Sequence, residues 1–242
     1  MVDFDIDRVF DEEDYPGLSV AATVGSASDY RRIIEEYLPL IRDQMTVRFR
    51  ARMARDYPNL SETQLRANFS DDYESHDWTA NGLVTGFLSG SVLLAAWSAF
   101  EQSVIAVCKY VQLRESIPLA FGDLREQDTC RRLQQYLQTA TRQTFELPHS
   151  LSEVQALRNL FAHHNGNLEE LSKQKRAQIE AIVRSGSGVS LFDRHQVALD
   201  PEFLRETTQK VDECAAALIK FVEDRYPRAD PPASQRDLKK LR

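Results

Sequence analysis

The stretch from Trp78 to Phe100 contains no charged residue. A bilayer is crossed by about 20 consecutive apolar residues, so this run either spans a membrane or fills a protein core. Its glycine, serine, threonine and asparagine residues make it polar for a span, and no Lys or Arg cluster flanks it closely to set an orientation. The spacing of Gly86 and Gly90 would let a neighbouring helix approach closely. We therefore predict a buried central helix, continuing to about Leu113, in an all-α protein without a membrane segment.

The N-terminal segment is strongly acidic. Residues 3–14 hold seven acidic side chains against Arg8, a charge of −6, so the rest of the chain carries −1 of the net −7. A nearly neutral body does not argue against an RNA partner. The Asp-x-Asp-x-Asp start is typical of calcium loops, but Arg8 stands where such a loop needs glycine. We predict an acidic, poorly ordered leader over residues 1–27, with neither a signal peptide nor a metal site.

Helical signals recur along the remaining chain. Ser28 or Asp29 is predicted to cap a helix that ends near Tyr57, with Pro39 as a break or kink. Further helices are predicted at residues 61–69, at 128–145, at 168–184 and from Asp200-Pro201 onwards.

Outside the helices, residues 189–199 favour a small β-hairpin, and residues 226–242 favour a basic, proline-containing, disordered tail. The three scattered cysteines suit a reducing cytoplasm and contain no C-x-x-C zinc pattern. We therefore predict one helical domain at residues 28–225 in a cytoplasmic protein.

One short helix within this domain has both of its ends indicated by the sequence. Ser150 and Glu153 form a capping-box pattern, and Asn165-Gly166 suits a helix C-terminus. Apolar residues recur between these ends at three- and four-residue spacing, which predicts one buried face: Leu151, Val154, Leu157 and Phe161.

Four polar residues of this helix are not explained by packing: Arg158, Asn159, His163 and His164. At about 100° per residue, His164 falls within the apolar arc, whereas His163 lies on the polar side near Asn159. We therefore expect His164 to be a packed histidine and His163 to be the candidate for chemistry, with His164 as the alternative. Arg158 lies about 140° from His163 on the same helical wheel, so one helix alone does not aim both at one phosphate.

The sequence R-N-L-F-A-H, from Arg158 to His163, resembles the Arg-x4-6-His motif of the HEPN superfamily, and a polar residue follows the arginine there too. Either histidine satisfies the spacing. The order of elements around the motif, including an L-x-F-x-D-L-like segment from Leu119 to Leu124, is similar to the HEPN proteins of bacterial defence and toxin systems. The resemblance covers roughly residues 30–225.

The resemblance implies an up-and-down helical bundle in which two motif helices meet across a homodimer interface and build a composite site. It implies a metal-independent endoribonuclease without cofactors, in which the RNA 2′-hydroxyl attacks the adjacent phosphorus. Arg158 and His163 would be catalytic, with Asn159 in support. A cognate antitoxin or defence-system partner is a further expectation. The alternatives are a non-catalytic HEPN module that binds RNA, nucleotide or protein, and a plain helical interaction protein.

Four further residues are weaker candidates. Glu101, the first charge after the uncharged run, either orients a side chain of the motif helix or marks where its own helix emerges into water, which we favour. Arg48, Arg52 and Arg55 share one helix face and would contact RNA phosphates, although a solvated face is the favoured interpretation. No two histidines have the i, i+4 spacing of a helical metal site.

Overall fold

In the computed structural model, residues 1–148 and 151–227 are described, and they form a helical protein with one small antiparallel sheet. The α-helices described are α1 (Ile6–Asp11), α2 (Gly17–Asp56), α3 (Glu62–Asn68), α4 (Ser70–Asp77), α5 (Thr85–Glu115), α6 (Thr129–Thr141), α7 (Ser152–His164), α8 (Lys173–Arg184) and α9 (Pro201–Arg225). A π-helix (Trp78–Val84) leads into α5, and a 3-10 turn (Phe121–Asp123) precedes α6. Strands β1 (Val189–Leu191) and β2 (Val197–Leu199) pair in antiparallel register. The predicted all-α class and the hairpin are confirmed.

Helix α5 lies at the centre of the bundle and packs against α2, α6, α7 and α9. It is buried on several sides at once, since Leu93, Trp97, Phe100 and Val104 are each at most 1% exposed. A helix that is apolar all round is stable only where other elements surround it. Its central position therefore follows from its composition, as predicted.

The uncharged run is less uniform than the sequence suggests. Its first part is the π-helix, and Trp78 and Phe87 remain 43% and 53% exposed. In the described part of the chain, the continuous helical run Ser70–Glu115 has the length and mean hydropathy (1.7) of a candidate membrane span, and half of its most apolar window is buried inside the protein. The core helix of a soluble bundle has the same composition.

The N-terminal segment differs from the poorly ordered leader that the sequence predicts for residues 1–27. Residues 6–11 form α1, and α2 begins at Gly17 instead of near Ser28. Val20 and Val24 are almost fully buried in the main core. The acids that suggested disorder include a capping residue, because the Asp5 side chain accepts hydrogen bonds from the first turn of α1.

Arg8 anchors this segment to α5. Its side chain is 2% exposed, donates from Nε to Glu12 (2.9 Å) and from Nη2 to the hydroxyl of Tyr110 (2.6 Å), and lies 4.7 Å from the ring centroid of Tyr15. Burial alone would raise the pKa of Glu12, but the hydrogen bond from Tyr110 and the guanidinium of Arg8 outweigh it and lower that pKa. The charge of Arg8 is thus compensated inside the core, which makes its burial tolerable.

Helix α2 continues through Pro39 without interruption and ends at Asp56, as the sequence predicted for its C-terminus. Its last turns hold a second, smaller core against α3 and α4, built from Phe49, Met53 and Leu65. This core fixes α4 and the start of the π-helix beside the C-terminal half of α2.

Helix α7 carries the HEPN-like motif. It begins at Ser152; Ser150, half of the expected capping box, lies outside the described residues. The four predicted apolar residues are buried: Leu151, Val154, Leu157 and Phe161. The predicted C-terminus is confirmed, because Asn165 and Gly166 have φ angles of 49° and 82° in the left-handed region.

At the other end of the chain, α9 starts at Asp200-Pro201 as predicted, and Asp200 caps it. The tail expected at residues 226–242 lies outside the described residues beyond Pro227. Tyr226 itself is 9% exposed and donates a hydrogen bond to Glu115 at 2.7 Å.

The ring of Phe161 fixes α7 against α5. A Cβ atom placed on Gly90 would lie 2.4 Å from this ring, and one placed on Gly166 would lie 2.9 Å from it. The ring therefore lies so close to both positions that neither has room for a larger residue than glycine. Gly86, the other glycine of the predicted close-approach pair, has no atom within 4 Å of such a Cβ.

We predict that Gly90→Ala lowers the free energy of unfolding by roughly 1–3 kcal/mol, because the new methyl group overpacks against Phe161. Gly86→Ala is the matched control and should raise stability by up to about 1 kcal/mol, since alanine is the better helix former. Urea denaturation followed by circular dichroism measures both. Equal stabilisation by the two variants would show that Gly90 is not a contact point.

Candidate functional site

Arg158 projects from α7 towards α5 and is held by two side chains. Its Nη2 donates to Glu101 at 3.3 Å, and its Nη1 donates to the side-chain oxygen of Asn159 at 2.9 Å. The second oxygen of Glu101 accepts a hydrogen bond from Thr129 of α6 at 3.5 Å. Arg158 and Glu101 are 29% and 31% exposed, so this ion pair lies at the protein surface.

This arrangement corrects the favoured interpretation of Glu101. The residue does not simply mark the point where α5 reaches solvent, because its carboxylate is shared between α6 and α7. It orients the guanidinium of Arg158, which was the other alternative. Helical periodicity relates residues within a few turns of one helix, so it does not predict a contact between Glu101 and Arg158, which are 57 residues apart.

His163 is exposed in the last turn of α7 and lines two surface cavities. The larger, about 280 Å³, includes Leu83, Phe87 and Gln196. The smaller, about 90 Å³, lies between α7 and α8 and includes Asn159. Asn159 therefore contacts Arg158 on one side and shares a cavity with His163 on the other.

His164 is not the packed core histidine that its position in the apolar arc suggested. Its side chain is 25% exposed, and its Nδ1 lies 3.2 Å from Glu170 Oε2. It lines both cavities beside His163, with the two ring centroids 6.4 Å apart. The helix ends at this residue, so its ring turns towards the connection after α7 instead of towards α5.

Arg158 and His163 do not line a common cavity among those described above. Arg158 lines neither of the two cavities that His163 lines. This agrees with their divergence on the helical wheel. What the structure does bring together is a set of polar side chains on α5 and α7, which we name the motif row: Glu101 of α5 with Arg158, Asn159 and His163 of α7.

The three arginines of α2 do not act as one group. Arg48 and Arg52 line a cleft of about 460 Å³ together with His76, whereas Arg55 lies outside it and pairs with Asp56 at 3.0 Å. His76 and Phe87 were not identified as site residues from the sequence. No local signal distinguishes them, because each acquires its surroundings only when α4 and the π-helix are packed.

No family model matches this sequence, and no curated protein or solved structure matches it. Within residues 1–148 and 151–227, no group of three or more His, Cys, Asp or Glu side chains is arranged to hold a metal ion.

We predict that the ion pair between Arg158 and Glu101 contributes little to stability. Because both partners are about one-third exposed, a double-mutant cycle with Arg158→Ala and Glu101→Ala should give a coupling energy below about 1 kcal/mol. Urea denaturation of the four proteins measures it. A coupling above about 2 kcal/mol would instead make the pair a structural element of the bundle.

Proposed function

We propose that this protein is a metal-independent endoribonuclease of the HEPN type. The observation that carries the proposal is the motif row, in which Arg158 is oriented at the surface by Glu101 and Asn159, and Asn159 lines a cavity together with the exposed His163. An oriented arginine, an amide and an exposed histidine on one helix have the chemistry that phosphodiester transesterification needs.

Arg158 would bind the non-bridging oxygens of the scissile phosphate. A guanidinium has five N–H donors, and the described hydrogen bonds to Glu101 and Asn159 use two of them. The remaining donors suit a phosphate in the planar, forked geometry that arginine provides. Glu101 would act as a positioning residue, because it fixes the guanidinium and does not itself contact the RNA.

His163 would transfer a proton. The 2′-hydroxyl attacks the adjacent phosphorus, the P–O5′ bond breaks, and the leaving 5′-oxygen takes a proton from the imidazolium. The carbonyl end of α7 stabilises a positive charge at this position. The products are a 2′,3′-cyclic phosphate and a 5′-hydroxyl, and no metal-bound water takes part.

The separation of Arg158 from the cavities of His163 favours a composite site. A homodimer in which two motif helices meet would bring Arg158 of one copy towards His163 of the other. The proton of the 2′-hydroxyl passes to a water molecule. By this proposal the monomer has all the residues but not the assembled site.

A second candidate function is an RNA-binding module without catalysis. Two observations favour it: Arg158 lies outside the cavities that His163 lines, and Glu101 neutralises Arg158 within one chain. In either case we propose a cytoplasmic protein of a bacterial toxin or antiviral defence system, with a cognate antitoxin or defence component as a possible partner class. The three cysteines of the chain, Cys108, Cys130 and Cys214, suit a reducing compartment.

We predict that the purified protein cleaves single-stranded RNA in the presence of EDTA and leaves 2′,3′-cyclic phosphate ends. Arg158→Ala and His163→Ala should each lower the cleavage rate by about 100-fold or more, since general acid catalysis alone contributes that much. Glu101→Gln should reduce the rate less. Gel assays of end-labelled RNA, with circular dichroism of each variant, measure this.

His164→Ala is the matched control, because the neighbouring histidine lines the same cavities, and it should retain most of the activity. Cleavage that persists in His163→Ala and disappears in His164→Ala would move the proton transfer to His164. If the wild-type protein cleaves no member of a broad RNA panel, the binding module becomes the better account.

We predict that the protein is a homodimer at micromolar concentration. Light scattering should give about twice the chain mass of 27.7 kDa. Mixing Arg158→Ala with His163→Ala should restore part of the cleavage, because one of the two composite sites then has both native residues. A monomer that cleaves RNA would contradict the composite site.

A further inference from the structure

Exposed aromatic side chains lead away from the cavity of His163. Phe87, 53% exposed, lines this cavity together with Leu83 of the π-helix. At the other end of the same π-helix, Trp78 is 43% exposed and lines a neighbouring cleft of about 400 Å³ with Phe192 of the hairpin loop. The two cavities thus lie at the two ends of one short helix.

The aromatic rings in the middle of this path are fixed by contacts with the π-helix and the hairpin loop. Phe192 packs so closely on the π-helix that a Cβ atom on Gly82 would lie 2.2 Å from its ring. The loop that carries Phe192 is ordered by Asp193, which accepts hydrogen bonds from the backbone of His195 (2.7 Å) and Gln196 (2.8 Å). Aromatic rings that are fixed in place and also exposed can stack on bases at little entropic cost.

The path ends at two arginines of α2. His76 stacks on Phe49, with ring centroids 4.4 Å apart and an interplanar angle of 2°, and lines both the Trp78 cleft and the cleft of Arg48 and Arg52. In the described part of the chain, no carboxylate forms an ion pair with Arg48 or Arg52. Nearby Arg50 and Arg66, by contrast, both contact Glu62, at 3.7 and 3.3 Å.

The charges of these clefts are divided between their walls. The cations come from α2 and α3 and the acids from α4: Arg48, Arg50, Arg52 and Arg66 against Asp72, Glu74 and Asp77. Arginines bind phosphates, and carboxylates accept hydrogen bonds from the amino groups of bases. Phosphate-binding and base-binding groups therefore face each other across a groove with aromatic walls.

We infer that single-stranded RNA lies along this path, which we call the aromatic track and define by Phe87, Phe192, Trp78, His76, Arg48 and Arg52. Bases stack on the exposed rings, and phosphates at the far end bind Arg48 and Arg52. The inference rests on the proposed function in that RNA is taken as the ligand and its scissile phosphate is placed near His163. It adds that the substrate is unpaired over several nucleotides on one side of that phosphate.

A non-cleavable probe tests the track apart from catalysis. The probe is a fluorescein-labelled 2′-O-methyl RNA of about ten nucleotides, within the range that single-strand-binding folds cover. Its affinity, measured by anisotropy, should exceed that of the same sequence in a duplex by at least ten-fold, because paired bases cannot stack on the rings. Equal affinity for the duplex would overturn the inference.

The two arginines give a quantitative signature. The double variant Arg48→Ala/Arg52→Ala should weaken binding at least ten-fold and reduce the slope of log Kd against log salt by about 1.4, since each phosphate contact on a single strand contributes about 0.7. Arg32→Ala is the matched control, an exposed arginine of the same helix outside these clefts, and should change neither value. An unchanged slope in the double variant would place the RNA elsewhere.

The aromatic residues are tested by substitution and by fluorescence. Phe87→Ala should weaken binding by roughly 5- to 150-fold, the value of one stacked base, whereas Tyr37→Ala, also half-exposed but not among the residues that line these cavities, should not. Of the two tryptophans, Trp97 is buried and Trp78 is exposed, so RNA should quench the fluorescence of Trp78. Quenching that persists in Trp78→Phe would contradict stacking at this position.

Failure of the track and failure of the proposed function are distinguishable. Cleavage that depends on Arg158 and His163, with no effect of Arg48→Ala/Arg52→Ala on probe binding or KM, overturns the track alone. Binding that depends on Arg48, Arg52 and Phe87 in a protein that cleaves no RNA upholds the track and leaves the binding module as the function.

Discussion

The close contact of Phe161 with two glycines is the constraint on which the rest of the site depends. The ring fills the space beside Gly90 in α5 and beside Gly166 after α7, and neither position has room for a side chain. Interiors are packed densely enough that such a contact fixes two helices relative to each other. The position of α7 relative to α5 is therefore fixed, and this position brings Arg158 within hydrogen-bond distance of Glu101.

The same contact explains why the motif row diverges. The face of α7 that bears Phe161 packs on α5. Arg158 reaches Glu101 of α5 beside this contact, whereas His163 lines cavities elsewhere on the helix. His163 also lies in the last turn of α7. The hairpin supports this end of the helix, because the backbone N–H of Val197 donates to the carbonyl of Gly166 at 2.9 Å. In the proposed homodimer, these separated polar groups would be brought together by a second copy.

The π-helix has a comparable position at the other side of the site. A local change from α- to π-geometry is uncommon and is often found at functional sites. Here it lies between the cavity of His163 and the cleft of Trp78, and it carries residues that line both. The second small core, around Phe49, holds α3 and α4 against α2, and the π-helix contacts α2 as well. Residues far from Arg158 and His163 in the sequence therefore determine the shape of the surface beside His163.

The sequence by itself determined the elements whose signals are local. The apolar period of α7, its Asn165-Gly166 end, the Asp200-Pro201 start of α9 and the all-α class all depend on residues within a turn or two of each other, so periodicity and capping rules predict them. Tertiary structure alone decided what depends on distant partners. The N-terminal residues looked disordered because the partner of Arg8 is Tyr110. Glu101 is positioned by its contacts with Thr129 of α6 and Arg158 of α7, and His76 is positioned by its contact with Phe49 of α2. Such contacts have no spacing in the chain, because they form only when helices far apart in sequence pack together.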